Sequence, residues 1–282
     1  MTPQPLFILC GPRRGSTLLR YILDTHPQVA SPGEIKVGAL CRHLETMIRF
    51  TRGVPAALLA AEDWPPFSLA ETRETVDRIL SDYAALKGKS RWCDKSIDNV
   101  HHADLLAAVF PQARFVCLHR DVLDVVHSCL ECSRNGFMEE LAPYAGRQLD
   151  NLVAAMVTAW IDHTALVLDF EQRYPERCRR VRYEDLVTAP EATLRPLLDF
   201  AGLPWEEALL TEVFSRRHDQ GGGDPKVQFS TRIETASVGS GQRINLVSVS
   251  ASLRQAADAL SARLSYPPLA VGRRLPWQDA QP

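Results

Sequence analysis

Leu6-Phe7-Ile8-Leu9-Cys10-Gly11-Pro12-Arg13-Arg14-Gly15-Ser16-Thr17-Leu18-Leu19 decides the reading of the fold. An apolar run of strand character enters a turn bounded by two glycines. A helical pattern begins at once, with Leu18, Leu19, Ile22 and Leu23 marking one apolar face of Thr17–Asp24. The first N–H groups of a helix have no intrahelical partner and carry partial positive charge, so a strand, tight turn and helix in this order suit a phosphate. Gly15 lets the backbone approach an anion closely. Ser16 and Thr17 add hydroxyl donors, and Arg13 and Arg14 add cationic forks. The stretch is not a Walker A loop, which needs G-x-x-x-x-G-K-[ST]. Its glycines are one residue too close, and no Lys precedes Ser16. The bland alternative is a strand–turn–helix corner with two solvated arginines; a pair of arginines at the mouth of such a turn weighs against it.

Outward from this stretch, short β-rich runs alternate with helical patterns, which predicts an α/β fold with a central, mainly parallel sheet flanked by helices. Strands are expected at Leu6–Cys10, Arg114–His119 and Cys178–Arg182, with a weaker one at Arg91–Cys93. Val100–Phe110 reads as a helix ended by Pro111, and another helix follows Arg120 with Asp121 as its N-cap. A long helical periodicity runs from Leu149 to Tyr174 through Leu152, Met156, Trp160 and Leu166. Thr193–Phe200 and Glu206–Phe214 are shorter helices, bounded by Gly202 and Pro204. Ser215 to Gln242 reads as irregular around Gly221-Gly222-Gly223-Asp224-Pro225, and a loop that long is usually functional or disordered. Arg49–Pro66 has loop character, with Trp64-Pro65-Pro66-Phe67 expected to stop any helix there. With no internal repeat and no linker, a single domain over residues 1–282 is expected.

The composition is that of an ordinary globular chain, with 282 residues and enough apolar content for a core that needs no disulfides. A net charge of -2 gives no global basic field for nucleic acid, while leaving room for a local basic pocket. No segment is expected to be long enough to span a bilayer. Leu6–Cys10 is short, with no basic residue before it, and so reads as a strand and not as a secretory segment. Seven Cys without framework spacing point to free thiols in a reducing compartment, and hence to a cytoplasmic chain without a membrane anchor. Cys129 and Cys132 form C-x-x-C inside a helical pattern, with no second pair to complete a zinc site. No acidic metal-binding cluster is apparent, so no metal is expected.

The strand followed by Pro-Arg-x-Gly-[Ser/Thr]-Thr-Leu resembles the 5'-phosphosulfate loop of the sulfotransferases that use 3'-phosphoadenosine 5'-phosphosulfate (PAPS). The resemblance is closest to the tyrosylprotein sulfotransferases and the bacterial enzymes similar to them. It implies that the loop cradles the phosphosulfate with Arg13 near the transferring group. Arg14 stands where many members carry a small hydroxyl residue, which leaves its role open. Arg120 ends the Arg114–His119 strand and Ser128 follows eight residues later, as in the family's 3'-phosphate site. A 3'-phosphate dianion suits a bidentate Arg. The third contact is open, because the matching position is Cys132, with Arg134 nearby.

Four further pieces extend the resemblance over most of the chain. Asp24-Thr25-His26-Pro27 followed by Gly33-Glu34 resembles the acceptor-side segment, which makes Glu34 the implied base. Trp92-Cys93-Asp94-Lys95-Ser96 resembles Cys-Asn-Lys-Asp and implies Lys95 as the catalytic Lys. Arg182-Tyr183-Glu184-Asp185-Leu186 resembles Tyr-Glu-x-Leu, with Tyr183 on the nucleotide. Thr235-Ala236-Ser237 with Arg243 resembles the late Ser-then-basic segment that closes over the donor, at a shorter spacing than usual. Taken singly, Glu34 reads better as a surface carboxylate, Lys95 as a strand-end charge and Tyr183 as core; their order along the chain argues for the shared site. Sulfuryl transfer needs in-line geometry, a base and cations at the transfer point. His119 is a rival base. The implied insertions near 35–71 and 214–245 would choose the acceptor, a small molecule, a sugar, a lipid or a peptide tyrosine. The competing readings are a nucleotide phosphotransferase and an inactive nucleotide-binding protein.

Overall fold

A computed structural model of the chain describes residues 4–269, except 135, 137, 220, 222 and 223. Gly222 and Gly223 of the glycine run thus lie outside the described residues. Five parallel strands, β1 (Leu6–Leu9), β2 (Val29–Ala30), β3 (Arg91–Asp94), β4 (Arg114–His119) and β5 (Cys178–Arg182), stand in the order β2-β3-β1-β4-β5. β1 is central, with Leu6 opposite Arg114 and Leu9 opposite Cys117. Side chains alternate across a strand, so the two faces enter separate cores. Leu6, Ile8, Val116 and Leu118 pack on one side. Phe7, Leu9, Phe115 and Cys117 pack on the other. Both faces are covered, which is why these strands read as unbroken apolar runs.

The helices are α1 (Ser16–Thr25), α2 (Val37–Thr51), α3 (Pro66–Leu86), α4 (Ala103–Val109), α5 (Val122–Ser133), α6 (Ala142–Arg147), α7 (Leu152–Arg173), α8 (Tyr183–Thr188), α9 (Pro190–Ala201), α10 (Ala208–Thr211) and α11 (Ala251–Arg263). α5 starts as the sequence predicts: the Asp121 carboxylate accepts from the N–H groups of Leu123 and Asp124. α7 is capped in the same way, by Asn151 accepting from Ala154 N. The expected helix at 206–214 shortens to α10.

Two expectations are corrected. The loop expected at Arg49–Pro66 is confined to the stretch between α2 and α3: α2 runs through Thr51, and Pro66 opens the 21-residue α3 instead of barring a helix. Proline at the first helical position loses nothing, because that N–H would be unpaired anyway. The 22 residues of α7 are, by length and composition, long and apolar enough to cross a bilayer, and 56% of that window is buried inside the fold.

Candidate active site

The C-terminal ends of β1, β3, β4 and β5 open on one edge of the sheet, where open α/β sheets place their ligands. A cavity of ≈ 370 Å³ lies there. Arg13, Gly15, Ser16 and Thr17 from the first loop line it, together with Glu34, Lys95, Arg120, Ser128, Tyr183 and Ser237. Residues more than two hundred positions apart in the chain thus share one chamber.

The first loop is held in shape by two close approaches. Gly15 has φ 85°, and a Cβ there would lie 2.2 Å from Cδ2 of Tyr183. A Cβ on Gly11 would lie 2.8 Å from Cβ of His163. Arg13 also has positive φ, 62°, a conformation unusual for a residue with a side chain. Its Nε donates to Ser128 Oγ at 3.0 Å, and its Nη2 donates to Asp224 at 2.7 Å.

Arg14 takes the opposite direction, which corrects the expectation that it binds the donor. Its side chain is 1% exposed and donates to Trp160 O at 3.1 Å and Thr164 Oγ1 at 2.6 Å, both on α7. Burial lowers its pKa to about 10. Arg14 therefore ties the loop to α7 from behind and does not line the cavity.

Arg120 is where a strand-end cation should be. Its Nη1 donates to Arg13 O at 3.1 Å and its Nη2 to Ser237 O at 2.8 Å, while the guanidinium lies 4.3 Å over the Tyr183 ring. Its Nε is buried without a partner. Tyr183 Oη and Ser237 Oγ share a hydrogen bond of 2.7 Å. The late segment is fastened by a residue the sequence reading missed. Asp124, in the first turn of α5, accepts from Gly239 N and Gly241 N, each at 2.8 Å. Gly241 presses on the Leu123 carbonyl so closely that a Cβ would sit at 2.1 Å. This docking winds Ser240–Arg243 into a 3-10 turn and leaves Arg243 exposed, outside the cavity lining. That corrects the placement of Arg243. Lys226 and Arg232 are the basic residues this region brings to the cavity. Cys132 and Arg134 do not line it, so neither supplies the open third contact.

Lys95 follows β3, is 1% exposed, and is ion-paired with Glu34. Two networks position this pair. The buried Asp94 carboxylate accepts from Ser96 Oγ at 3.1 Å and from the Asn99 amide. Burial raises its pKa to about 6, against the pull of those hydrogen bonds. Ser96 Oγ and Asn99 Oδ1 then accept from Lys36 N at 2.8 Å and Gly38 N at 2.9 Å, fixing the chain just after Glu34. Before Glu34, the buried Arg20 donates to Ser31 O and Pro32 O, each at 3.0 Å, and to Asp219 O at 2.9 Å. The sequence signal for Arg20 was slight: one charge on the otherwise apolar run of α1.

His119 is fully buried, bonds Glu171 at 3.0 Å through Nε2, and lies outside the cavity lining. Burial lowers its pKa, only partly offset by Glu171. It has no route to an acceptor proton in the chamber. Cys129 is a buried free thiol and Cys132 a half-buried one.

The chain matches the model of the "Sulfotransferase family" over residues 5–207. It is 28% identical over 218 residues to a protein-tyrosine sulfotransferase of Drosophila melanogaster, an alignment covering 73% of this chain and 40% of that one. The chain spans about half the length, or less, of the first curated relatives it matches. Among solved structures, the sulfotransferase domain from the Synechococcus PCC 7002 olefin synthase superposes with a TM-score of 0.68 at 26% identity, covering 95% of this chain and 97% of that domain. The mouse sulfotransferase SULT7A1, solved in complex with PAP, shares the fold at a TM-score of 0.52 and 12% identity, covering 93% of this chain and 84% of that one.

Proposed function

This chain belongs to the sulfotransferase family, and we propose that it moves a sulfuryl group from PAPS to a hydroxyl, or less favourably an amine, of an acceptor and releases 3',5'-ADP (PAP). The observation that carries this reading is the gathering of Arg13, Lys95, Arg120 and Glu34 among the residues that line the cavity at the head of α1. The cradle offers donors suited to a phosphosulfate: Ser16 and Thr17 line the cavity, and the buried Nε of Arg120 still has a proton to donate. PAPS supplies an activated sulfuryl group whose leaving group is a phosphate.

The residues divide the work. Ser16, Thr17 and the first N–H groups of α1 hold the 5' end. Arg120 and Ser128 hold the 3'-phosphate, with Tyr183 alongside. Arg13 and Lys95 offset charge at the transfer point, as fixed cations aimed where charge develops, and no metal enters the scheme. Glu34 takes the acceptor proton, and its ion pair with Lys95 aims the carboxylate. Ser237 joins through the Tyr183 hydrogen bond. The acceptor meets the segments near 35–71 and 214–245. We read 1–282 as a single domain acting in the cytoplasm.

The test is Glu34→Gln, which preserves size but cannot accept the proton. Single-turnover transfer is expected to fall on the order of 10²–10⁴, with PAP affinity by calorimetry within about threefold of wild type. Near wild-type transfer by Glu34→Gln would remove Glu34 as the base.

A further inference from the structure

Arg13 is paired inside its own chain. Its guanidinium, 7% exposed, meets the Asp224 carboxylate, 28% exposed, at 2.7 Å. Asp224 is also fastened independently of Arg13. Its N–H donates to Thr17 Oγ1 at 2.9 Å, and its Oδ1 accepts from Lys226 N at 3.1 Å. The Thr17 hydroxyl therefore accepts from Asp224 and keeps its own proton for an anion. A phosphosulfate that takes Arg13 displaces a carboxylate whose backbone stays pinned to the loop.

Glu34, Asp224, Glu131 and Glu234 bring carboxylates to the cavity lining. Lys36, the nearby cation, is turned to Glu139 at 2.5 Å. At the mouth, Lys226 pairs with Glu131 at 2.9 Å and Arg232 with Glu234 at 3.3 Å, so those charges cancel. Leu18, Ile97, Met138 and Phe214 give the chamber apolar wall.

Resting on the sulfotransferase reading above, we propose that Asp224 is a specificity-determining residue. It yields Arg13 to the donor's anion. With Glu34 it then selects an acceptor of apolar body whose hydroxyl stands near a positive charge, an amino alcohol or an aminoalkyl phenol, over an acidic one. A like or unlike charge contact of this kind near a protein surface is worth roughly tenfold in binding.

The experiment uses three phenols of one shape and different charge: tyramine, p-cresol and 4-hydroxyphenylacetate. kcat/KM with PAPS is measured for wild type and Asp224→Asn, alongside PAP affinity. The wild type is expected to rank tyramine over p-cresol over 4-hydroxyphenylacetate, with a span of about a hundredfold. In Asp224→Asn the span contracts about tenfold, and PAP binds several-fold more tightly because Arg13 no longer leaves a carboxylate. Tyramine no better than 4-hydroxyphenylacetate, or a span unchanged in Asp224→Asn, overturns the proposal while leaving PAPS use intact. Absence of PAP binding by the wild type overturns the donor reading and this proposal with it. The wild-type series requires no variant to fold.

Discussion

Gly15→Ala puts a methyl group where the loop has no room for one. The backbone there has φ 85°, which costs a residue with a Cβ about 1–2 kcal/mol. The new Cβ would also stand 2.2 Å from Cδ2 and 2.4 Å from Cε2 of Tyr183, far inside ordinary contact. Overpacking of that kind costs typically about 1–3 kcal/mol. The ring cannot move away freely, because its hydroxyl is bonded to Ser237 at 2.7 Å and Arg120 stacks on its face at 4.3 Å. A loss of about 2–5 kcal/mol is therefore expected, read from urea unfolding midpoints. PAP affinity should fall along with it, since the ring carries two of the nucleotide-side residues. The cycle with Tyr183→Ala separates the two causes. In the Tyr183→Ala background only the backbone strain remains, so Gly15→Ala should cost about 1–2 kcal/mol there. An equal cost in both backgrounds would refute the argument that Gly15 exists to admit Tyr183.

Two further outcomes follow from the same geometry. Arg120→Ala should weaken PAP by at least tenfold more than 5'-AMP in calorimetry, because only PAP carries a 3'-phosphate; equal losses would place that phosphate elsewhere. His163 is buried with its pKa lowered by desolvation to about 4, so the unfolded chain takes up its proton first as pH falls. Stability from neutral His163 is complete above its ordinary value of about 6.5 and is lost as pH falls toward 4. The wild type should therefore lose on the order of 3 kcal/mol relative to His163→Gln between pH 7 and pH 4, in paired urea unfolding curves. Taking the difference between the two proteins removes Asp94 and Asp121, whose carboxyls are raised by burial to about 6 and act with the opposite sign.

β1, β3 and β4 were legible because each is buried along nearly its whole length. β4 and β5 carry the bounds expected from the sequence, and Asp121 announces α5 by its own side chain. What escaped was an element whose buried stripe is polar at two of its five positions. α3 buries Ser68, Thr72, Val76, Leu80 and Ala84, one residue in four, so its inward face includes two hydroxyls and shows no apolar period. The Ser68 hydroxyl donates to the buried Glu45 of α2 at 3.0 Å, a partner no local pattern reveals. β2, two residues long, is too short to carry a pattern at all.

The fourteen residues of the decisive stretch set strand, turn and helix by themselves, because hydrogen bonds along a helix and the conformational freedom of glycine are local properties. Resemblance to the family's motifs also implied Glu34, Lys95, Arg120, Ser128 and Tyr183 as residues of one site. Tertiary structure alone decided between Arg13 and Arg14. They are adjacent and chemically identical, yet one lines the cavity and the other is buried against Trp160 and Thr164. α7, some 150 residues away, provides the two acceptors that draw the Arg14 Nη2 inward, while its Nε and Nη1 are buried without a partner.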